Sequence, residues 1–574
     1  MDQTTNSVLD IATKNATLWT SEIFDEATRA EATQLLKEGG DALIEPFYKE
    51  LDFGTGGMRG IMGVGTNRIN PYTLGTATQG LVNYAQEVLG RKDLKAAIAF
   101  DSRNNSNPFA TKVAEVLSAN GVQTYLFEDL RPTPELSFAV RELGCDFGIV
   151  LTASHNPKEY NGYKVYWNDG GQLVPPHDKG VIEKVRATGY SDVNWRKNEA
   201  LIEKIGSAID RKYIDMIAAQ SINNDGKEDL NIVFTALHGT SIVSVPPALE
   251  QSGFTSVQIV ADQATPDGNF PTVDSPNPEE GAALAMAVAQ AEATNADLVI
   301  GCDPDTDRVG IAVNDGTGKM QLLNGNDTAA LLVHYVLSAH QAKGTMPSNG
   351  FTAATVVTTD LLADISASFG VPCYRCLTGF KWIADMINNR PEEKFIVGGE
   401  ESYGYLIGDQ VRDKDAVASA VMIAEMAAFA KSQGRTVLEQ LEAIHREFGQ
   451  YQERLISITK KGRSGAQEIA DMMTNLRNNA PQTLSGSPVI IAIDHSNSTQ
   501  TDLRTGATTS TGLPASNVLQ FITEAGDKVS ARPSGTEPKI KFYFSVRATT
   551  GESHAQTKAE LEQKIDTFIE ELNL

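Results

Sequence analysis

Phe147-Gly148-Ile149-Val150-Leu151 runs directly into Thr152-Ala153-Ser154-His155-Asn156-Pro157. A short apolar run closed by polar and turn-forming residues reads as a buried strand that delivers its last residues to a loop. The same arrangement recurs on both sides. Upstream, Ala96-Ala97-Ile98-Ala99-Phe100 ends at Asp101-Ser102-Arg103, and a helical segment from about Asn107 to Asn120 stops at Gly121. Downstream, Ile232-Val233-Phe234 leads to Ala236-Leu237-His238-Gly239-Thr240, and Asp297-Leu298-Val299-Ile300 leads to Gly301-Cys302-Asp303-Pro304-Asp305. A third cycle places Thr355-Val356-Val357 before Thr358-Thr359-Asp360, and Phe395-Ile396-Val397 before Gly398-Gly399-Glu400-Glu401-Ser402. Strands alternating with helices predict an α/β fold with mixed, mainly parallel sheets, here in three related domains.

The C-terminal part breaks this rhythm. Lys539 to Val546 alternates with period two, as a half-buried strand does, and Thr557 to Leu572 carries helical periodicity. A smaller C-terminal α+β domain is therefore expected. The stretch 460–515, rich in Ser, Thr, Gly and Asn, reads as long loops. The expected division is 1–208, 209–322 and 323–450 for three α/β domains and 451–574 for the fourth, four domains in all. A chain of 574 residues is long enough for several separate cores. Nearly every unusual polar cluster follows a strand, and in open α/β sheets ligands bind beyond the carboxyl ends of strands.

Composition narrows the chemistry. A formal net charge of −24 argues against a nucleic-acid or anionic-membrane partner, yet leaves room for an anionic small molecule in a local basic pocket. No apolar run reaches the ~18 residues of a membrane span. The N-terminal stretch lacks the apolar core of a signal peptide, so a cytoplasmic protein is expected. Cys373 and Cys376 form a lone CxxC with no second pair for a zinc site, and read as two reduced thiols.

Four clusters carry chemistry. Ser154 lies at a strand end beside a turn that Pro157 helps fix; no G-x-S-x-G surrounds it, so no hydrolase elbow is indicated, and alone it is an ordinary turn serine. Asp303, Asp305 and Asp307 form D-x-D-x-D. Alternate residues of an extended loop share a side, so three carboxylates can converge on one hard cation. The EF-hand pattern fails, because Arg308 stands where Gly is needed and Asn314 where Glu is needed. Mg²⁺ suits all-oxygen donors and phosphate partners. Arg532-Pro533-Ser534-Gly535-Thr536 combines a guanidinium, two hydroxyls and a close-approach glycine, the ingredients of a phosphate nest. Glu400 and Ser402 follow a strand and can bond sugar hydroxyls. Gly54-Thr55-Gly56-Gly57-Met58-Arg59-Gly60 matches neither nucleotide-binding pattern. Lys414-Asp415, taken alone, is an exposed ion pair of little worth. Phosphoryl transfer without a nucleotide needs a donor within the protein, and a phosphoserine would serve.

These residues make the chain similar to the α-D-phosphohexomutases, and more closely to their phosphoglucomutase-like branch. TASHNP (152–157), DPDTDR (303–308), GEESYG (399–404) and RPSGTEPK (532–539) occur in family order, and the resemblance extends from about Leu51 to Val546. It implies a heart-shaped molecule of three α/β domains and a smaller, mobile fourth. It implies a phosphoserine at Ser154, Mg²⁺ held by Asp303, Asp305, Asp307 and a phosphoserine oxygen, sugar contacts from Glu400 and Ser402, and a phosphate clamp of Arg532, Ser534, Gly535 and Thr536. Arg59, His155, Lys164, Arg308, Thr378 and Lys414 fall where the family has active-site residues, with Arg59 and Lys164 assigned to charge stabilisation and proton handling. The implied reaction interconverts a sugar 1-phosphate and 6-phosphate through a bisphosphate, glucose 1,6-bisphosphate for glucose. Phosphomannomutase or phosphopentomutase activity, bisphosphate synthesis, a phosphatase with an aspartate nucleophile and a non-catalytic phosphosugar sensor are the alternatives. Two departures from the family pattern stand out: many relatives read DGDGDR in place of DPDTDR, and Phe in place of Tyr403.

Overall fold

The computed structural model describes residues 3–54, 56–460, 462–534, 539–548 and 554–574. They gather into two compact units, one of Met1–Leu323, Phe380–Ile396 and Ser402–Gly434, the other of Asn324–Gly379, Val397–Glu401 and Arg435–Leu574.

The first unit opens with three helices, Gln3–Leu18, Glu26–Glu38 and Gly40–Phe47, ahead of the first α/β sheet. They have their own small core. Trp19 stacks on Phe24 with ring centroids 4.5 Å apart and meets Phe47, Tyr72 and Tyr190 edge-on. Offset stacking and edge-to-face contact are the arrangements that ring quadrupoles favour.

Six strands follow: β1 (Gly57–Ile61), β2 (Lys95–Phe100), β3 (Gln123–Phe127), β4 (Phe147–Leu151), β5 (Tyr160–Trp167) and β6 (Ile202–Ile205). They form one sheet in the order β1-β5-β4-β2-β3-β6. The pairs β2/β3, β2/β4 and β3/β6 are parallel, whereas β5 runs antiparallel to both β4 and β1. Every residue of β4 is buried, as a strand covered on both faces requires. The helix Pro71–Leu89 covers one face. It starts at a capping box in which Asn70 accepts from the amides of Tyr72 and Thr73, and it stops at Gly90, whose φ of 65° suits glycine.

A second sheet contains β7 (Asn231–Thr235), β8 (Ser256–Ile259), β9 (Leu298–Cys302), β10 (Val309–Asn314) and β11 (Met320–Leu323), in the order β11-β10-β9-β7-β8. Again the inner pairs are parallel and the D-x-D-x-D side antiparallel: β9 and β10 flank residues 303–308 as a hairpin.

β12 (Gly350–Thr355) and β13 (Cys373–Cys376) belong to the second unit, as does the Val397–Glu400 part of β14 (Lys394–Glu400), and β12 lies between β13 and β14. The strand ends two residues earlier than expected. Val356 and Val357 lie beyond it and pack on Tyr543. Cys373 and Cys376 occupy the two ends of one strand; an odd separation sends their side chains to opposite faces, which precludes a disulfide between them, and both are free thiols. Next come β15 (Gly404–Ile407) and the helix Ala416–Ser432, both in the first unit; the helix is buried along nearly its whole length.

The C-terminal sheet comprises β16 (Gln450–Thr459), β17 (Thr483–Leu484), β18 (Ser487–Asp494), β19 (Thr499–Asp502), β20 (Thr508–Ser510), β21 (Leu519–Thr523), β22 (Lys528–Pro533) and β23 (Lys539–Ala548). Seven run in the order β16-β23-β22-β21-β18-β19-β20, and β17 pairs with β18. Two expectations change here. The stretch 460–515 is not chiefly loop, since it contains the helix Gly462–Asn478 and strands β17 to β20; Ile469 and Met473 of that helix are buried in the sheet's core. β23 alternates only at its start and is buried through Tyr543 and Ser545; Val356 and Val357 cover Tyr543 on what would be its solvent face. Among the described residues no helix is long and apolar enough to cross a membrane.

Candidate active site

Ser154 follows β4 with a φ of 53°, a left-handed conformation that few residues other than glycine adopt. Local bonds hold it there. The Thr152 hydroxyl accepts from the Ser154 amide at 2.8 Å, and the Asn156 amide bonds Ala153 O at 3.1 Å, closing a turn. Beneath the loop sits the Arg103 guanidinium, fully buried. It donates to Ser154 O at 2.5 Å, Pro157 O at 2.9 Å, Tyr160 O at 3.1 Å and Asn156 O, and its Nε lies 3.4 Å from Asp101 Oδ2. Gly162 lets the neighbouring strand approach, since a Cβ there would lie 2.5 Å from Thr152 O. The Ser154 hydroxyl is thereby aimed at Asp303, donating to Oδ2 at 2.7 Å, with His155 Nδ1 at 3.1 Å.

The aspartate loop closes on itself. Asp303 Oδ1 accepts from the amides of Asp307 (3.1 Å) and Arg308 (3.0 Å), and the Thr306 amide bonds Asp303 O at 2.9 Å. All three aspartates are buried, and each offers one carboxylate oxygen within 4.8 Å of the others. Asp305 Oδ1 and Asp307 Oδ1 are buried without a hydrogen-bond partner. Burial, then the Asp305 and Asp307 charges, push the Asp303 carboxyl well above the usual carboxylate range. Burial acts the same way on Asp307, but the Lys164, Lys414 and Arg308 charges outweigh it and hold that group low. Three buried carboxylates that converge in an all-oxygen donor set, with one oxygen each of Asp305 and Asp307 unsatisfied, fit a hard divalent cation.

Cations surround the cluster. Lys164 Nζ lies 2.7 Å from Asp305 Oδ2 and 3.0 Å from Asp307 Oδ2. Lys414 Nζ lies 3.3 Å from Asp307 Oδ2 and 3.1 Å from Asp413 Oδ1. The reading of Lys414-Asp415 as an exposed pair is therefore corrected: both are buried, Lys414 joins the aspartates, and Asp415 instead caps the helix Ala416–Ser432 through the amides of Val417 and Ala418. Gly404 makes room for this lysine, because a Cβ there would lie 2.1 Å from Lys414 Cδ. Arg308 Nη1 donates to His155 Nδ1 and to Glu279 Oε1, each at 2.9 Å. Burial, reinforced by Arg308 and Arg59, holds the His155 pKa well below the usual histidine range, so the ring is neutral and its Nδ1 accepts. Arg59 on β1 donates to Asn156 Oδ1 at 2.9 Å. Ser402 follows in the same unit, half-buried.

The second unit holds the remaining expected residues. Glu400 Oε1 accepts from the Gly379 amide at 2.8 Å, and the neighbouring Thr378 hydroxyl is buried without a hydrogen-bond partner. Burial and the adjacent Glu400 charge push Glu401 up to about 7, and its Oε2 accepts from the Thr358 hydroxyl at 3.0 Å. Arg532 stands opposite Lys541 in the β22/β23 register, and the Ser534 amide bonds Lys539 O at 2.7 Å. Gly535 and Thr536 lie outside the described residues.

Ser154, His155, Arg59, Lys164, the three aspartates, Arg308 and Lys414 thus come together in the first unit; Thr378, Glu400, Arg532 and Ser534 belong to the second. Several partners were not foreseen. Thr133, at the start of the helix Thr133–Glu142, donates from Oγ1 to Asp305 Oδ2 at 2.9 Å, and its amide bonds Asp305 O at 2.9 Å. Asp413 accepts from Tyr166 OH at 2.6 Å and Gln172 Nε2 at 2.9 Å as well as from Lys414. Arg103 carried a signal, since it stands in a polar turn at a strand end like Ser154; Thr133, Glu279 and Asp413 carried none.

Residues 50–191, 211–316 and 324–448 match the three family descriptions "Phosphoglucomutase/phosphomannomutase, alpha/beta/alpha domain I", "domain II" and "domain III". Among curated relatives, a phosphoglucomutase of Staphylococcus haemolyticus is 36% identical over 540 residues, covering 91% of this chain and 97% of the relative. One of Staphylococcus aureus (strain MRSA252) is 36% identical over 539 residues, covering 91% and 96%. Two solved structures share the fold. A putative phosphomannomutase from Thermus thermophilus has TM-score 0.66 at 19% identity, covering 90% of this chain and 99% of that one. The open form of pp63/parafusin, a phosphoglucomutase from Paramecium, has TM-score 0.66 at 17% identity, covering 92% and 96%. With three consecutive domain matches and relatives of this similarity along nearly its whole length, the chain belongs to the phosphoglucomutase/phosphomannomutase family.

Proposed function

We propose that the chain is a phosphoglucomutase that interconverts glucose 1-phosphate and glucose 6-phosphate, with Ser154 as the phosphorylated intermediate and glucose 1,6-bisphosphate as the species between half-reactions. The observation that carries this reading is the aim of a strained serine hydroxyl, 2.7 Å from Asp303, at a buried oxygen cluster suited to a divalent cation. Family membership and the phosphoglucomutases at 36% identity support it.

In the first half-reaction the phosphorus–Oγ bond of phosphoserine 154 breaks and a bond forms to the free hydroxyl oxygen of the sugar monophosphate. The hydroxyl proton ends on Ser154 Oγ. After the bisphosphate turns over, Oγ attacks the other phosphate and the steps reverse. Asp303, Asp305, Asp307 and a phosphoserine oxygen would hold Mg²⁺, which supplies charge neutralisation at the phosphoryl oxygens. Arg59 and Lys164 are assigned to charge stabilisation and proton exchange, with His155, Arg308 and Lys414 ordering the cluster around them. Positioning and electrostatics carry most of the rate in such a transfer. Glu400, Ser402 and Thr378 take the sugar side, and Arg532, Ser534, Gly535 and Thr536 grip the phosphate that is not reacting. Each half-reaction presents the ring in the opposite sense, so these contacts tolerate two orientations. One ligand loop falls to each of the four domains at 1–208, 209–322, 323–450 and 451–574.

The test is Ser154→Ala. Turnover of glucose 1-phosphate should vanish while the thermal transition is unchanged, and labelled bisphosphate should transfer its phosphate to Ser154 of the wild type but not to the variant. Near-normal turnover by the variant would refute the intermediate. A panel of mannose and pentose 1-phosphates run alongside sets the sugar preference.

A further inference from the structure

Thr306 sits in the middle of the aspartate loop with a φ of 59° and is completely buried. A β-branched residue at positive φ is a true outlier, because its branched side chain crowds the backbone there, whereas glycine adopts the conformation freely. Something must therefore hold Thr306 in place. Its amide bonds Asp303 O, which closes the loop, and its hydroxyl meets the Thr240 hydroxyl at 2.6 Å, with both groups buried. Thr240 comes from another strand end, after β7, and its amide also bonds Pro304 O at 2.8 Å. Gly239 lets the two loops touch, since a Cβ there would lie 2.5 Å from Pro304 Cα. The Thr240 segment is itself anchored: His238 Nδ1 lies 2.9 Å from Thr265 O and Nε2 lies 2.9 Å from Thr272 Oγ1.

We infer that Thr240 is a positioning residue for the cation site. Its hydroxyl holds Thr306 in the left-handed conformation, and that conformation sets the spacing at which Asp303, Asp305 and Asp307 converge. The inference rests on the reading of those aspartates as cation ligands. Without the Thr240 hydroxyl, Thr306 has a buried, unsatisfied hydroxyl and loses the side-chain bond that offsets its backbone strain; the loop relaxes and the carboxylates lose register. With glycine at position 306 the constraint becomes unnecessary, so the two positions are coupled.

The experiment titrates the full chain with Mn²⁺ alone, following free metal by electron paramagnetic resonance, for the wild type, Thr240→Val, Thr240→Ser, Thr306→Gly and the Thr240→Val/Thr306→Gly pair. Removing a group that orients a metal ligand costs about tenfold or more in affinity, so Thr240→Val should bind Mn²⁺ at least about tenfold more weakly. Thr240→Ser, which keeps the hydroxyl, and Thr306→Gly should bind as the wild type does. The pair should match Thr306→Gly. A Thr240→Val variant that binds normally, or a pair as weak as Thr240→Val alone, overturns the inference. If Thr240→Val does not fold, the pair against Thr306→Gly decides: equal affinity supports the coupling and a loss overturns it. A wild type that binds no Mn²⁺ overturns the cation reading itself, a result separable from the others.

Discussion

Replacing Arg103 by Met removes the buried guanidinium on which the Ser154 loop rests. That group donates to four carbonyl oxygens, those of Ser154, Asn156, Pro157 and Tyr160, and faces Asp101 across 3.4 Å with no solvent exposure at either side chain. Hydrogen bonds from charged donors are worth about 1.5–3 kcal/mol each, but four made by one group do not add, and water can enter to replace some. The better guide is the cost of removing one member of a buried ion pair, about 3–5 kcal/mol. Burial already pushes the Asp101 carboxyl above its ordinary range, so the stranded acid can protonate, which keeps the cost within that range. A loss of about 4 kcal/mol at roughly 2 °C per kcal/mol lowers the melting temperature by about 8 °C. The assay is direct: Trp19, Trp167, Trp195 and Trp382 are the chain's four tryptophans and all lie in the first unit with Arg103, so their fluorescence reports its unfolding. Turnover should fall by about a hundredfold, since loss of aim by ~1 Å costs that much. Arg103→Lys keeps the charge but not the planar fork, and should recover part of the stability and less of the rate. An Arg103→Met variant melting within about 2 °C of the wild type, with turnover within a factor of about three, would refute the reasoning.

Three other outcomes are expected. Asp305→Asn should bind Mn²⁺ much more weakly and lose turnover, while the wild type should be inactivated by a chelator and restored by Mg²⁺; undiminished rate in the chelator would sink the cation assignment. Gly404→Ala drives a Cβ to 2.1 Å from Lys414 Cδ, so it should cost about 1–3 kcal/mol of stability through overpacking and displace Lys414 from Asp307; turnover should drop by more than about tenfold, and an unaffected rate would show that Lys414 is dispensable. Burial pushes Glu453 up to about 8, so the folded chain keeps a proton that the unfolded chain gives up near pH 4.5. Stability is therefore full below that pH and declines as pH rises through about 8, and Glu453→Gln should raise the stability of the second unit by about 4 kcal/mol at pH 8 but not at pH 4, read by scanning calorimetry. An equal gain at both pH values would rule out the linkage.

What could be read from the chain and what could not divide along physical lines. Strand-then-turn units such as Leu151 into Ser154, and Cys302 into Asp303, are local, because an apolar run and the turn after it lie together in sequence. The clamp from Arg103 and the bond from Thr133 to Asp305 join residues 51 to 172 positions apart, and nothing in either neighbourhood encodes the other. The stretch 460–515 departs from its local composition for a different reason. Its Ser, Thr and Asn content signals turns, but Ile469, Met472, Met473 and Leu476 stand at helical spacing and face the sheet's core, and that stripe outweighs local propensity. Lys414 is adjacent to Asp415 in sequence, but it pairs with Asp413 and, 107 residues upstream, Asp307.

The aromatic cluster at the start of the chain has a consequence for the order in which the protein is made. Trp19 is complete in its packing only when Tyr190 has reached it, and Tyr190 is encoded roughly 170 residues later. At ~5–20 residues per second on the ribosome, the first three helices wait roughly 10–30 s for the residue that seals their core. During that interval Trp19, Phe24 and Phe47 are an open apolar surface on a nascent chain. A turn shortly before β6, the last strand of the first sheet, thus decides when the first helices become safe from aggregation.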